Sequence, residues 1–156
     1  MRKFSHLFIA SAIAVSLTTP ALAISTKYRS LSESLVTRAQ TALAGTDVAQ
    51  ADELVNLALT ANPANAEAYI LKARVQQQNG DDAEALRLVT VGLEIDPTNA
   101  SGRALQTRLA ADNEDFDLAD KALKQYRAVC DTACGEAEAL GQLINDKRTQ
   151  AASREN

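Results

Sequence analysis

Apolar and polar positions follow a helical rhythm along most of this chain, broken at intervals by short polar turns. Leu31, Leu35, Ala39 and Ala42 fall on one stripe, which predicts a helix from residue 31 to about 44. Ser30-Leu31-Ser32-Glu33 in front of it has the Ser-x-x-Glu spacing of a capping box. Gly45-Thr46 ends this helix, and Asp47 can cap a second one that runs to about residue 61 with Ala51, Leu54, Val55, Ala58 and Leu59 inward. Asn62-Pro63 is the stop, because proline disfavours helical backbone at the residue before it. Asn65 starts a further pair over 66–79 and 82–95, with Gly80 suited to the left-handed position between them and Asp81-x-x-Glu84 placed to cap the second. After Asp96-Pro97-Thr98-Asn99, a third pair spans 100–129, with Phe116 at the start of its second helix. Ala137, Leu140, Leu143 and Ile144 predict a last amphipathic helix over about 135–146. Outside this pattern, 24–30 is expected to be a flexible lead-in and 147–156 a disordered tail.

The pairs repeat at an offset of 34 residues. Pro63 and Pro97 are one period apart, as are Ala39, Ala73 and Thr107; Ala51, Ala85 and Ala119; and Val55, Val89 and Leu123. A fixed period of this size marks stacked helical hairpins. With Tyr69, Ala73, Gly80, Ala85 and Pro97 in its aromatic, small, turn, small and terminal-proline positions, the central unit resembles the tetratricopeptide repeat (TPR) family. Lys72 stands where that family usually has leucine, and Gly92 where it has alanine. The third unit departs further, with Arg103 in the place of Tyr69, Gln106 in the leucine position and Tyr126 in a small position. The resemblance implies an all-α, TPR-like array of three antiparallel helix hairpins plus a C-terminal capping helix in a right-handed superhelical arc. The domain would cover 31–146, with repeats at about 32–65, 66–99 and 100–131.

The first 23 residues change the expected address. Arg2 and Lys3 precede an apolar run from Leu7 to Leu17, and Ala21 and Ala23 form a small-x-small cleavage site, the three regions of a secretory signal. The run is shorter than the about 20 residues a membrane span needs. The expectation is a chain exported to the periplasm and released from the membrane. Cleavage removes two of the 16 Lys+Arg residues and none of the 20 Asp+Glu, leaving 14 − 20 = −6. An acidic chain of this kind points away from nucleic acid, which calls for a clustered basic face. His6, the single histidine, leaves with the leader, and so do Ser-His-Asp, Cys-His and histidine-metal chemistries. No catalytic residue, metal or cofactor is expected.

Cys130 and Cys134 lie between the third pair and the last helix. An even cysteine count in an oxidising compartment favours a disulfide. Residues four apart on a regular helix cannot approach closely enough to form one, so a bridge requires a helix break here. A redox-active pair is the alternative, although such pairs favour Cys-x-x-Cys. The run Asp112-Asn113-Glu114-Asp115-Phe116-Asp117 has alternating oxygens but lacks the glycine and terminal glutamate of a calcium loop, and reads as a turn whose carboxylates cap the next helix.

In TPR arrays the first helices of successive hairpins line a concave groove. On this chain the resemblance places Glu33, Val36, Gln40 and Leu43 there, then Glu67, Ile70, Arg74, Gln77 and Gln78, then Ser101, Ala104, Arg108 and Asp112. Gln40, Glu67, Ile70, Arg74, Gln77 and Arg108 are the expected partner-binding residues, with Arg74 and Arg108 stacked one repeat apart as anchors for an acidic or extended peptide. The lysine-and-asparagine set of carboxylate-clamping TPR domains is missing, with Val36, Gln40 and Ala104 in its place. The expected function is a non-enzymatic scaffold or adaptor for a protein or peptide partner, supporting assembly of an envelope complex. A self-assembling homo-oligomer and a thiol–disulfide protein using Cys130 and Cys134 are the alternatives.

Overall fold

The 34-residue period reappears in the backbone conformation and caps of the computed structural model, which describes residues 20–130 and 134–154, with side chains from residue 25. Seven helices follow one another among these residues: α1 (Pro20–Ala44), α2 (Val48–Ala61), α3 (Ala66–Gln78), α4 (Asp82–Ile95), α5 (Ala100–Asp112), α6 (Phe116–Val129) and α7 (Gly135–Arg154). Inside each hairpin a single residue turns left-handed, Thr46 (φ 65°), Gly80 (φ 82°) and Glu114 (φ 61°). The residue after each is the aspartate that caps the next helix: Asp47 accepts from the Gln50 amide, Asp81 from Glu84 and Asp115 from Leu118. Between hairpins the caps are asparagines, Asn65 to Ala68 and Asn99 to Gly102. Each cap satisfies an amide that the first helical turn leaves open.

The hairpins α1/α2, α3/α4 and α5/α6 stack in chain order, and α7 packs on α5 and α6 as a cap. The first helices also touch along the array, α1 with α3, α3 with α5 and α5 with α7, whereas α2, α4 and α6 make no contact with one another. The stack therefore curves with α1, α3, α5 and α7 on its inner side. Three apolar clusters fill the successive junctions, and the central one is built round Ile70, Leu88, Val89, Leu93, Leu105 and Leu109. Such a fold is stabilised by neighbour-to-neighbour burial.

Two glycines explain how Ile70 is accommodated. A Cβ on Gly92 would lie 2.9 Å from Ile70 Cγ1, and one on Gly102 would lie 2.8 Å from Ile70 Cδ1. The departure of Gly92 from the family's alanine makes room for this branched side chain.

The polar departures form links between hairpins. Lys72 Nζ donates to Asp52 Oδ1 (2.5 Å) and Asn56 Oδ1 (2.9 Å) on α2. One period later, Gln106 Nε2 donates to Thr90 Oγ1 on α4 (3.3 Å), at the same separation of 16 residues as Lys72 from Asn56. Arg103, whose pKa burial pushes down, donates to the Pro97 carbonyl (3.2 Å), Gln106 Oε1 (3.2 Å) and Gln125 Oε1 (2.9 Å). The third unit is thus tied in by hydrogen bonds where the central one uses Tyr69.

Three expectations need correction. Helix α1 passes straight through the expected lead-in, so Ser30 is no cap: its Oγ donates to the Lys27 carbonyl (3.0 Å) within the helix, where upstream turns already serve the amides. Ser32 is buried instead, donating to the Ala58 carbonyl (2.8 Å) and accepting from Asn65 Nδ2 (2.8 Å). Helix α7 continues to Arg154, through most of the expected disordered tail. Ion pairs hold that extension on the third repeat: Lys147 with Asp112 (2.7 Å), Arg148 with Asp120 (2.9 Å) and Arg154 with Glu114. The Arg148 guanidinium also lies 5.1 Å from the Phe116 ring centroid. Most of the leader lies outside the described residues, as do 155 and 156; Pro20 to Ala23 belong to α1.

Candidate functional site

Stable helix stacking leaves one face of each first helix uncovered on the inner side of the curve, and here those faces form a groove. Gln40, Leu43 and Ala44 from α1, Glu67, Leu71, Arg74 and Gln78 from α3, and Ser101 from α5 line a concavity of 440 Å³. Glu67 and Ser101 are the second residues of α3 and α5, and Arg74 lies seven residues, about two turns, after Glu67 on the same stripe.

The Glu67 carboxylate is held on both oxygens. Gln40 Nε2 donates to Oε1 (3.1 Å) and Asn99 Nδ2 to Oε2 (3.2 Å). Arg74 is exposed, with no hydrogen-bond or ion-pair partner among the described residues. Arg108 is paired with Glu136 on α7, both about half exposed. The two arginines stacked by the repeat therefore differ: one is free, and the cap helix neutralises the other.

Of the remaining expected groove residues, Gln77 is half-buried, and Gln78 lines the concavity in its place. Ile70 is fully buried at 0 % exposure in the central core, so its expected role as an apolar contact for a partner is corrected to a packing one. Val36 and Ala104 are buried as well. The apolar floor is supplied by Leu43 and Leu71, and Leu71 is only 3 % exposed. Leu71 was legible from its place four residues after Glu67 and three before Arg74. Glu136 was not, because its partner is 28 residues away on another helix.

Cys130 and Cys134 form a disulfide across 5.5 Å between Cα atoms. Helix α6 ends at Val129, and Cys130 takes an extended conformation (φ −75°, ψ 118°), the helix break that the four-residue spacing requires. The bridge sits two residues before Glu136. It closes a small loop, so the loss of chain entropy in the unfolded state is worth roughly 2 kcal/mol. Protein produced under oxidising conditions is expected to show no free thiol on titration. A Cys130→Ser, Cys134→Ser double variant is expected to lose about 2 kcal/mol of stability in urea melts.

Among the described residues no cluster of His, Cys, Asp and Glu could hold a metal ion, and no helix is long and apolar enough to cross a membrane. A second feature lies at the outer start of the array, where Tyr28, Leu31, Leu35, Leu57, Thr60 and Ala61 line an apolar hollow of 340 Å³. Tyr28, Leu31 and Leu57 are about half exposed there.

No curated protein matches the sequence. Solved structures do match the fold. The chain is similar to the TPR2B domain of yeast Sti1 in its pHsp70 complex (TM-score 0.68, 16% identity, 76% of this chain and 97% of that one). It is also similar to the Arabidopsis OM64 TPR domain (TM-score 0.69, 16% identity, 76% and 98%). A third likeness is to the Yersinia enterocolitica type III secretion chaperone SycD, in complex with a peptide of the translocator YopD (TM-score 0.64, 9% identity, 87% and 98%). At these identities the likeness is one of fold. Residues 42–109 match the family model for the tetratricopeptide repeat. That match lies inside three stacked hairpins, so residues 42–109 carry a tetratricopeptide-repeat match within an all-α helical repeat array whose fold is similar to solved TPR domains.

Proposed function

We propose that this protein is a periplasmic, non-enzymatic adaptor that binds a protein or peptide segment in its inner groove and supports assembly of an envelope complex. The observation that carries the reading is Arg74: an exposed guanidinium without a partner among the described residues, set among Gln40, Gln78 and Ser101 above the apolar side chains of Leu43 and Leu71. An extended peptide needs this combination of apolar contact, hydrogen-bonding amides and one charge anchor. Two of the structural neighbours were solved with a bound partner, pHsp70 for the Sti1 domain and a YopD peptide for SycD, which supports a binding role for a groove of this fold. The periplasmic address is supported by the signal-like leader and by the disulfide.

The test is capture from envelope extract by the exported protein and by Arg74→Glu. A specific partner is expected to be retained by the first and lost by the second, by tenfold or more in affinity, with thermal midpoints matched. Equal capture by both would place the binding surface outside the groove. Self-assembly is the second reading, favoured by the half-exposed Tyr28, Leu31 and Leu57. In that case light scattering would show a mass that rises with concentration and falls in Leu57→Glu.

A further inference from the structure

We infer that Ser101 sets the specificity of the groove: by leaving Arg74 without the carboxylate its repeat position would otherwise receive, it selects a partner that brings one carboxylate of its own. This rests on the groove reading above and gives the partner its chemistry.

The inner row of helices carries a recurring diagonal contact. Gln40 on α1 reaches the second residue of α3, Glu67, at 3.1 Å and a separation of 27 residues. Arg108, one period after Arg74 and the ninth residue of α5, reaches the second residue of α7, Glu136, at a separation of 28. The middle member of the series is Arg74, the ninth residue of α3, and 101 − 74 = 27 leads to Ser101, the second residue of α5. Both side chains line the same concavity. A serine, however, is too short to span the distance that a glutamate covers at the neighbouring junctions. Its Oγ is also already committed, donating to Asn99 Oδ1 at 2.9 Å.

Glu67 forms no ion pair with Arg74 either; its carboxylate is oriented by Gln40 and Asn99, which donate to one oxygen each. Two of the three diagonal junctions are therefore closed by a carboxylate from the chain itself. The central one presents a guanidinium whose planar donors suit a carboxylate from outside. At the next junction Glu136 already neutralises Arg108, so a second acidic group on the partner meets a carboxylate where the bare repeat would offer a cation. The groove thus discriminates between peptides with one acidic group at this spacing and peptides with two.

The test uses a random dodecapeptide display library selected on the exported protein, followed by affinity measurements with a synthetic peptide from the enriched pool. The wild type is expected to enrich one acidic residue, or a free C-terminal carboxylate, at a fixed position. Ser101→Glu supplies the missing carboxylate in cis, and is expected to keep or raise the thermal midpoint while weakening that peptide at least tenfold. Ser101→Gln, of the same size but neutral, is expected to bind within threefold of wild type, which assigns the effect to charge. Glu136→Gln releases Arg108 and is expected to enrich peptides with a second acidic residue. If Ser101→Glu binds undiminished while Arg74→Glu does not, the inference about Ser101 is wrong and the groove reading stands. If Arg74→Glu also binds undiminished, or the wild type enriches no common peptide, the groove reading falls and takes this inference with it.

Discussion

Ile70→Ala is expected to lower the free energy of unfolding by about 2–5 kcal/mol in urea melts, against a total of about 5–15 kcal/mol for a domain. Ile70 is at 0 % exposure on the face of α3 turned to α4 and α5, with Gly92 against its Cγ1 and Gly102 against its Cδ1. Those glycines have no side chains that could swing into the space left behind, so the cavity cannot collapse and the loss should fall in the upper half of that range. Arg74→Ala, one turn further along the same helix, is expected to change stability by about 0.5 kcal/mol or less, as exposed substitutions do. The pair separates the two faces of α3. A small loss at Ile70 would mean that α3 is rotated from the orientation described, and the groove built on it would be wrong as well.

Ile144→Asp is expected to cost about 4 kcal/mol or more, among the largest effects a single substitution has. Ile144 is 1 % exposed and packs with Leu140 and Ala137 of α7 against Leu123 and Tyr126 of α6. A carboxylate in that position has no partner and must either be buried uncharged or drive the helix off. Undocking of α7 uncovers the last junction, so hydrogen exchange should rise across 135–154 and trypsin should cut at Lys147 and Arg148. Removing one surface ion pair by Arg154→Ala, in contrast, is expected to stay within about 1 kcal/mol, because exposed pairs gain little in water. Full protection of 135–154 in Ile144→Asp would show that α7 is held by its ion pairs and not by its apolar stripe.

What could be read beforehand and what could not divides along a physical line. The helices with apolar stripes, the turns at Gly80 and Pro97 and the 34-residue stacking were all legible. They follow from local rules of backbone preference and from side chains repeating at helical spacing. The extension of α7 past residue 146 was not legible, because ion pairs to Asp112, Glu114 and Asp120 hold it, and no periodicity in 147–154 announces such distant partners. The start of α1 was misread for the opposite reason. A local capping pattern at Ser30 was outweighed by helix already formed upstream.

The candidate site shows the same division more sharply. The sequence by itself determined the repeat, the caps at Asp47 and Asp81, a carboxylate cap before Phe116, and the placing of Arg74 and Arg108 one period apart, since each depends on residues close in the chain or on the period itself. Only the tertiary structure decided that Ile70 faces the core, that Arg108 is claimed by Glu136, and that Arg74 stands free beside Ser101. Whether a charge in a groove is available depends on which carboxylates lie within about 4 Å of it, and here the carboxylate that claims Arg108 comes from a helix 28 residues further on.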